Sequence, residues 1–236
     1  MELAGIEVRR VERCGSTNSV LLAEGKPGVL LAADEQTAGR GRRGKRWHSA
    51  PGAGVTFSLS VRIAKPVAGL SLVAGVGVAR ALRTMGVSRV ALKWPNDLVV
   101  DGAKLGGILV ETRGKLAVIG IGINCRRDIA LETRLRRPLA SLDQFMTVDR
   151  DRIVHRVGAS LIEAVAIFES QGLEPLRIEW ERMHAHAGER IRVRLANGRV
   201  VTGLARGLDR DGGLQLETRA GLRAVQSGRV LSARPA

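Results

Sequence analysis

Two hydrophobic periods run along the chain and predict its secondary structure. Alternating or compact apolar runs, typical of strands, cover residues 6–11, 29–33, 55–63 and 90–93. Helical spacing covers residues 70–85, 151–170 and 174–183. A shorter helix is predicted after Ser16-Thr17-Asn18, because hydroxyl and amide side chains before an apolar run are typical helix N-caps.

The middle of the chain predicts antiparallel strands joined by tight turns. Asp101-Gly102 separates the apolar residues 98–100 from the run 104–111, which is a typical hairpin signal. Arg113-Gly114-Lys115 then turns the chain into residues 116–123.

The pattern changes after Gly188. Short alternating runs are separated there by glycine-containing turns, which predicts a small β-barrel. We therefore expect an α+β fold, with a mixed or antiparallel sheet and helices over residues 1–187 and the barrel over residues 188–236.

Composition favours a folded and basic protein. The 236 residues, 44% of them hydrophobic, suffice for one substantial domain and a small one. The formal net charge of +15 is typical of proteins that bind nucleic acid, but the arginines are spread along the chain. Aromatic residues, on which bases stack, make up only 3%. A basic nucleic-acid-binding module stays open as an alternative of another class.

Several kinds of site and location are not indicated. No run approaches the roughly 18 apolar residues of a membrane span, and the N-terminus lacks a secretion signal, so we expect a cytoplasmic protein without membrane contact. Cys14 and Cys125 are then expected to be reduced and buried. His184 and His186, two positions apart, do not share a helix face as metal ligands would. We expect no metal site built from protein side chains.

Residues 39–47 concentrate three glycines, five cations and a tryptophan. Glycines let a backbone approach a ligand closely, and cations with free N–H groups attract anions, so the string predicts a clamp for a phosphorylated ligand. It resembles a dinucleotide-binding loop and a P-loop, but both require a helix where Pro51 and further glycines follow. Arg46 also stands where the P-loop needs Ser or Thr. A basic surface loop is the ordinary alternative.

Further polar clusters stand at predicted strand ends or turns. They are Ser16-Thr17-Asn18, Gln36, Trp94-Pro95-Asn96-Asp97, Lys104 with Gly106-Gly107, and Asn124. Each has an ordinary explanation as a helix cap, a turn, a solvated lysine or a core tryptophan.

Together, in order and chemistry, these clusters resemble the biotin–protein ligases. The matching strings are Ser16-Thr17-Asn18, residues 36–44, Trp47-His48-Ser49, residues 93–97, residues 104–111 and residues 120–124. The sequence departs from the family pattern at Ala50, Thr56 and Cys125. The combination is specific although each string alone is not.

The resemblance implies a fold and an activity. The fold is a class II synthetase-like catalytic domain followed by an SH3-like C-terminal domain. The activity uses ATP and Mg²⁺ to convert biotin to biotinyl-5′-AMP, and then transfers biotin to a lysine of a biotin carboxyl carrier domain. A lipoate or octanoate ligase of the same broad fold is the nearest alternative.

The resemblance also assigns roles to residues. Biotin would contact Ser16, Thr17, Asn18, Gln36, Arg40, Gly41, Arg42, Lys104, Gly106 and Gly107. ATP would contact Arg40, Arg42, Arg43, Trp47, Asn96, Lys104 and Asn124, with Mg²⁺ held by its phosphates. Arg42, Lys104 and Asp97 would be catalytic, with Asp97 orienting or deprotonating the incoming lysine. We hypothesise that residues 39–49 are open without ligand and close over the adenylate.

The resemblance bears on DNA binding and leaves the oligomeric state open. Regulatory relatives carry a winged helix-turn-helix before the Ser-Thr-Asn string, whereas 15 residues precede Ser16 here, so we expect no DNA binding. Monomer and homodimer both stay open.

Overall fold

The computed structural model describes residues 2–3, 5–48 and 50–235. The strands of the larger sheet are β1 (Glu2–Leu3), β2 (Ile6–Cys14), β3 (Val29–Gln36), β4 (Gly54–Arg62), β5 (Ala91–Lys93), β6 (Asp97–Val100), β7 (Ala103–Arg113) and β8 (Leu116–Asn124). The helices are α1 (Thr17–Glu24), α2 (Leu70–Thr84), α3 (Ile129–Leu135), α4 (Arg150–Gln171) and α5 (Glu174–Arg182). The smaller sheet has β9 (Arg190–Arg194), β10 (Val200–Leu208), β11 (Leu214–Thr218), β12 (Gly221–Val225) and β13 (Arg229–Arg234).

The larger sheet has the strand order β1-β2-β3-β4-β8-β7-β6-β5. Its strands pair antiparallel except β2 and β3, which run parallel and are connected through α1. The α+β class with a mixed sheet is therefore confirmed. Asp101 and Gly102 have φ of 51° and 78° and form the hairpin turn between β6 and β7, as expected.

The two faces of this sheet are covered differently. The main core packs between one face and α2 and α4, and Gly77 of α2 allows a close approach, since a Cβ there would lie 2.9 Å from the Ser160 carbonyl oxygen. A small apolar cluster lies under α1 on the other face, where Leu21 meets Leu31 and Val118. Because α1 is short, it covers only part of that face.

The smaller sheet is antiparallel, in the order β12-β11-β10-β9-β13. It contacts the larger unit where Trp94 Nε1 donates to the Gly212 carbonyl, 3.1 Å away, and where the Leu208 amide donates to Glu181. Residues 183–185 cover the edge strand β5, with the Leu92 amide donating to the Met183 carbonyl.

One expectation needs correction, and one helix was not predicted. Cys125 is buried as expected, but Cys14 is only partly buried, because it ends β2 near the margin of the sheet. Helix α3, capped by Asp128, was not predicted. Within the described ranges, none of the helices is long and apolar enough to cross a membrane.

Candidate active site

A cavity of ≈ 380 Å³ lies on the same face of the large sheet as α1, in the part of that face that α1 does not cover. Most of the predicted site residues line it, namely Ser16, Thr17, Asn18, Gln36, Arg40, Gly41, Arg42, Arg43, Trp47, Asn96, Asp97, Lys104 and Gly107. Residues as far apart in the sequence as Ser16 and Gly107 thus meet around one space.

Glycines of β8 form the floor of the cavity. Val118 packs under α1, and Gly120 and Gly122 follow on the same face of the strand, because strand side chains alternate between faces. A Cβ on Gly120 would lie 2.3 Å from Asn18 Oδ1, and one on Gly122 would lie 2.5 Å from the Trp47 ring. The glycines therefore make the room that Asn18 and Trp47 occupy.

A buried polar network lies at the α1 end. The Ser58 hydroxyl is 2.6 Å from both Thr17 Oγ1 and Asn18 Oδ1, and the Asn18 amide donates to Glu111 at 2.9 Å. The Thr17 backbone amide and hydroxyl both donate to Gln36 Oε1. Two donors on one oxygen fix the Gln36 amide and direct its Nε2 hydrogens to other partners.

The Ser16 side chain caps the helix that carries this network. It accepts from the Ser19 amide at 3.5 Å and caps α1, as the sequence predicts. This cap places Thr17 and Asn18, two residues of the cavity lining, in the first turn of α1.

The glycine–arginine loop folds back on itself beside the cavity. The backbones of Arg40 and Arg46 form an isolated antiparallel β-bridge, and the Trp47 backbone amide donates to the Gly39 carbonyl at 3.0 Å. Arg43, at φ 56°, and Gly44, at φ 71°, turn the loop, and Arg40 forms an ion pair with Glu111 at 2.8 Å. Trp47 Nε1 is buried without a hydrogen-bond partner in the described part of the chain. Ser49 lies outside the described residues.

Lys104 and Asp97 form an ion pair between β7 and β6. Only 17% of the Lys104 side chain is exposed, so it is not the solvated lysine of the ordinary interpretation, and its Nζ lies 5.9 Å from the Trp47 ring centre. The Arg42 guanidinium donates to Asn96 Oδ1 at 3.4 Å. Burial, and then the charge of Arg43, lowers the pKa of Arg42.

Two predicted residues lie outside the cavity lining. A Cβ on Gly106 would meet the Gly122 carbonyl oxygen at 2.7 Å, so this glycine permits close strand pairing. Asn124 donates both amide hydrogens, to the Lys104 and Ala140 carbonyls, and lines a separate small pocket with His48. The geometry therefore gives Asn124 a structural task, fixing the backbone of Lys104, rather than contact with the cavity.

Sequence reasoning missed several cations of the site. Lys93, Arg137 and Arg229 also line the cavity. Burial lowers the pKa of Lys93, Asp97 opposes this, and the charges of Lys104, Arg229 and Arg137 add to the lowering. Arg229 comes from β13 of the smaller sheet, which no local pattern connects to residue 93. Glu111, which stands among the matching strings, also received no role.

The protein donors offer little for a metal ion. Across residues 2–3, 5–48 and 50–235, no cluster of three or more His, Cys, Asp or Glu side chains is suited to hold one. Asp97 is the one carboxylate among the side chains that line the cavity, and it already pairs with Lys104. A Mg²⁺ ion would therefore take most of its ligands from phosphate oxygens and water, as is usual for this ion.

Comparison with known families decides the classification. The family described as "Biotin/lipoate A/B protein ligase family" matches residues 4–128, and "Biotin protein ligase C terminal domain" matches residues 186–231. The chain belongs to the biotin/lipoate A/B protein ligase family.

Named members of this family resemble the chain over most of its length. It is 36% identical to the bifunctional ligase/repressor BirA of Escherichia coli, covering 92% of this chain and 71% of that protein. It is 35% identical to the biotin–[acetyl-CoA-carboxylase] ligase of Mycobacterium tuberculosis, covering 95% and 88%. The biotin protein ligase of Aquifex aeolicus, solved with biotin and ATP, superposes with a TM-score of 0.86 at 28% identity, covering 98% and 99%.

Proposed function

We propose that this protein is an ATP-dependent ligase that forms biotinyl-5′-AMP and transfers biotin to a lysine of a biotin carboxyl carrier domain. One observation carries the proposal. A neutral, hydrogen-bonding pocket and a group of cations meet in a single cavity. The first suits an uncharged polar ring, and the second suits a carboxylate beside a polyphosphate.

The neutral end matches the ureido ring of biotin. That ring has two N–H donors and a carbonyl acceptor, and burying them requires partners. Ser16, Thr17, Asn18 and Gln36 supply hydroxyls and amides, and Ser58 orders two of them. The dithiolane ring of lipoate has no strong hydrogen-bonding group, so this network does not favour the lipoate alternative.

The cationic end suits the adenylation step. A biotin carboxylate oxygen attacks the α-phosphorus of ATP, the bond to the β-phosphate breaks, and pyrophosphate leaves. Two anions must approach each other, which costs energy unless fixed cations offset their repulsion. Arg40, Arg42, Arg43 and Lys104 are the proposed counter-charges, and Asp97 holds Lys104 in place through their ion pair.

The transfer step needs the adenylate to be kept from water. The lysine amine of the acceptor attacks the acyl carbon, the amine loses a proton, and AMP leaves. The loop of residues 39–48 lies against the cavity, with Arg40 tied to Glu111 and Trp47 packed on Gly122. We propose that it closes over the adenylate, with Trp47 on the adenine side.

The acceptor, the domain division and the location of the protein complete the proposal. The acceptor is the carrier domain of a biotin-dependent carboxylase, in line with the names of the relatives. The division at residues 187 and 188 and the cytoplasmic location stay predictions, and monomer and homodimer both stay open.

A labelling experiment tests the function. The protein is incubated with ATP, Mg²⁺, biotin and a carrier domain of acetyl-CoA carboxylase, and the product is read on a streptavidin blot. We expect labelling that requires ATP and the acceptor lysine. Parallel reactions with lipoate and octanoate test the alternative, and labelling of the matching lipoyl domain without biotin transfer would overturn the proposal.

A further inference from the structure

Five exposed arginines lie on one face of the smaller sheet. Strand β9 alternates buried Ile191 and Val193 with exposed arginines, and β13 carries exposed arginines near its two ends. We call the set Arg190, Arg192, Arg194, Arg229 and Arg234 the arginine face.

The strand register brings these charges together. Arg190 pairs directly with Arg234, and Arg194 pairs directly with Arg229. Like charges directly opposite each other in a sheet are destabilising. Across the described residues, no ion pair joins any of the five to a carboxylate, whereas Arg206 on β10 pairs with Glu217. The arginine face is therefore an uncompensated positive surface.

This face borders the cavity. Gly228, Arg229, Val230 and Leu231 line the cavity at the start of β13, and the charge of Arg229 contributes to the lowered pKa of Lys93. A protein that inserts a lysine into the cavity must cover its mouth. Arg229 joins the two surfaces, because it belongs to the arginine face and also lines the cavity.

We propose that the arginine face docks the acidic surface of the carrier domain that presents the acceptor lysine. This inference rests on the proposed function and adds where the acceptor binds. Complementary charge accelerates encounter and orients the partner, which suits an enzyme that must find one lysine on another protein.

Nucleic acid is the other polyanion to weigh against this partner. The observations favour the carrier, because residues 188–235 contain no Phe, Trp or Tyr on which bases would stack. The face is also the outer side of a sheet that continues into the cavity, and not a helix projecting into a groove.

A pair of matched variants tests the proposal. R192E/R194E reverses two charges of the arginine face without touching the cavity lining. R219E/R223E makes the same change in charge at and beside β12, the opposite edge of the sheet, where both arginines are exposed. For each variant, the KM for the carrier domain is measured across a series of salt concentrations. The half-reaction without carrier is measured as biotin-dependent exchange of pyrophosphate into ATP.

We expect R192E/R194E to raise the carrier KM by about tenfold or more at low salt, with a weaker dependence on salt. Pyrophosphate exchange should stay at the wild-type level, and R219E/R223E should keep the wild-type KM. With a carrier variant whose acidic residues beside the acceptor lysine are neutralised, the wild-type enzyme should show a higher KM than with the normal carrier. R192E/R194E should not raise the KM for this carrier variant any further.

Three results would overturn the inference. They are an unchanged carrier KM in R192E/R194E, an equal increase in both variants, or a loss in R192E/R194E of binding to a fluorescent DNA duplex while carrier kinetics stay normal. If wild-type protein failed to support exchange or labelling at all, the proposed function itself would fail, which this design separates from failure of the docking surface.

Discussion

Gly120→Ala probes the floor of the cavity most directly. The new Cβ would lie 2.3 Å from Asn18 Oδ1, whereas ordinary contact begins at 3.4 Å, so Asn18 must move by about 1 Å. That shift breaks or weakens its hydrogen bonds to Glu111 and Ser58. One neutral and one charge-assisted bond together contribute roughly 3 kcal/mol.

Part of this energy appears as lower stability and part as weaker biotin binding, because binding must restore the Asn18 geometry. We expect the biotin Kd, measured by titration calorimetry, to rise between about tenfold and a hundredfold. Gly15→Ala is the matched control. A Cβ at residue 15 meets no atom within 4 Å, so affinity should stay near the wild-type value.

A double-mutant cycle separates the steric explanation from others. Asn18→Ala removes the group that the new methyl would strike, so adding Gly120→Ala to it should cost little more than Asn18→Ala alone. Additive losses from the two substitutions, or wild-type affinity in Gly120→Ala, would refute the reasoning that Gly120 exists to make room for Asn18.

Four further predictions concern the cations, the loop and a buried histidine. Lys104→Ala should abolish most biotin-dependent pyrophosphate exchange while retaining binding of the carrier, and normal exchange would exclude its role. Arg42→Gly should release biotinyl-AMP and label lysines of a bystander protein such as serum albumin; labelling restricted to the carrier would contradict this. Residues 39–48 should be cleaved by trypsin more slowly with a stable biotinyl-AMP analogue than without it, and equal cleavage would count against closure. Burial, and then the charge of His186, lowers the pKa of His184 from 6.5 to about 4. The contribution of His184 to the free energy of unfolding is therefore full above pH 6.5 and is lost, by about 3 kcal/mol in total, as the pH falls from 6.5 through 4. His184→Gln should flatten the dependence of the free energy of unfolding on pH, measured by urea unfolding, and an unchanged dependence would refute the assignment.

Local patterns predicted those features that depend on neighbouring residues. Ser16 caps α1, and Asp101-Gly102 forms the tight turn, because each conformation is decided within a few residues. The parallel pairing of β2 with β3 was not predicted, since alternation is the same in parallel and antiparallel strands. The short helix α3 was also missed, because seven residues give too little periodicity.

The predictions for the site also succeed or fail according to how far apart the residues lie in the sequence. The matching strings brought Gln36, Asn96 and Lys104 to one cavity, and the structure places all three in its lining. Asn124 shows the limit of such reasoning, because an amide at a strand end serves a backbone carbonyl as readily as a ligand. Arg229 lies 125 positions from Lys104, and only the docking of the smaller sheet places both beside the same cavity.

The hydrogen bond from Trp94 to Gly212 has a consequence for dividing the protein. Only 2% of Trp94 is exposed, and it stands directly before the Pro95-Asn96-Asp97 segment of the cavity. A fragment ending at residue 187 would leave this indole in water with its N–H unpaired by protein. Each of two separately expressed fragments would lack part of the cavity lining, so activity would require both, which would make the chain a starting point for a split reporter of protein proximity.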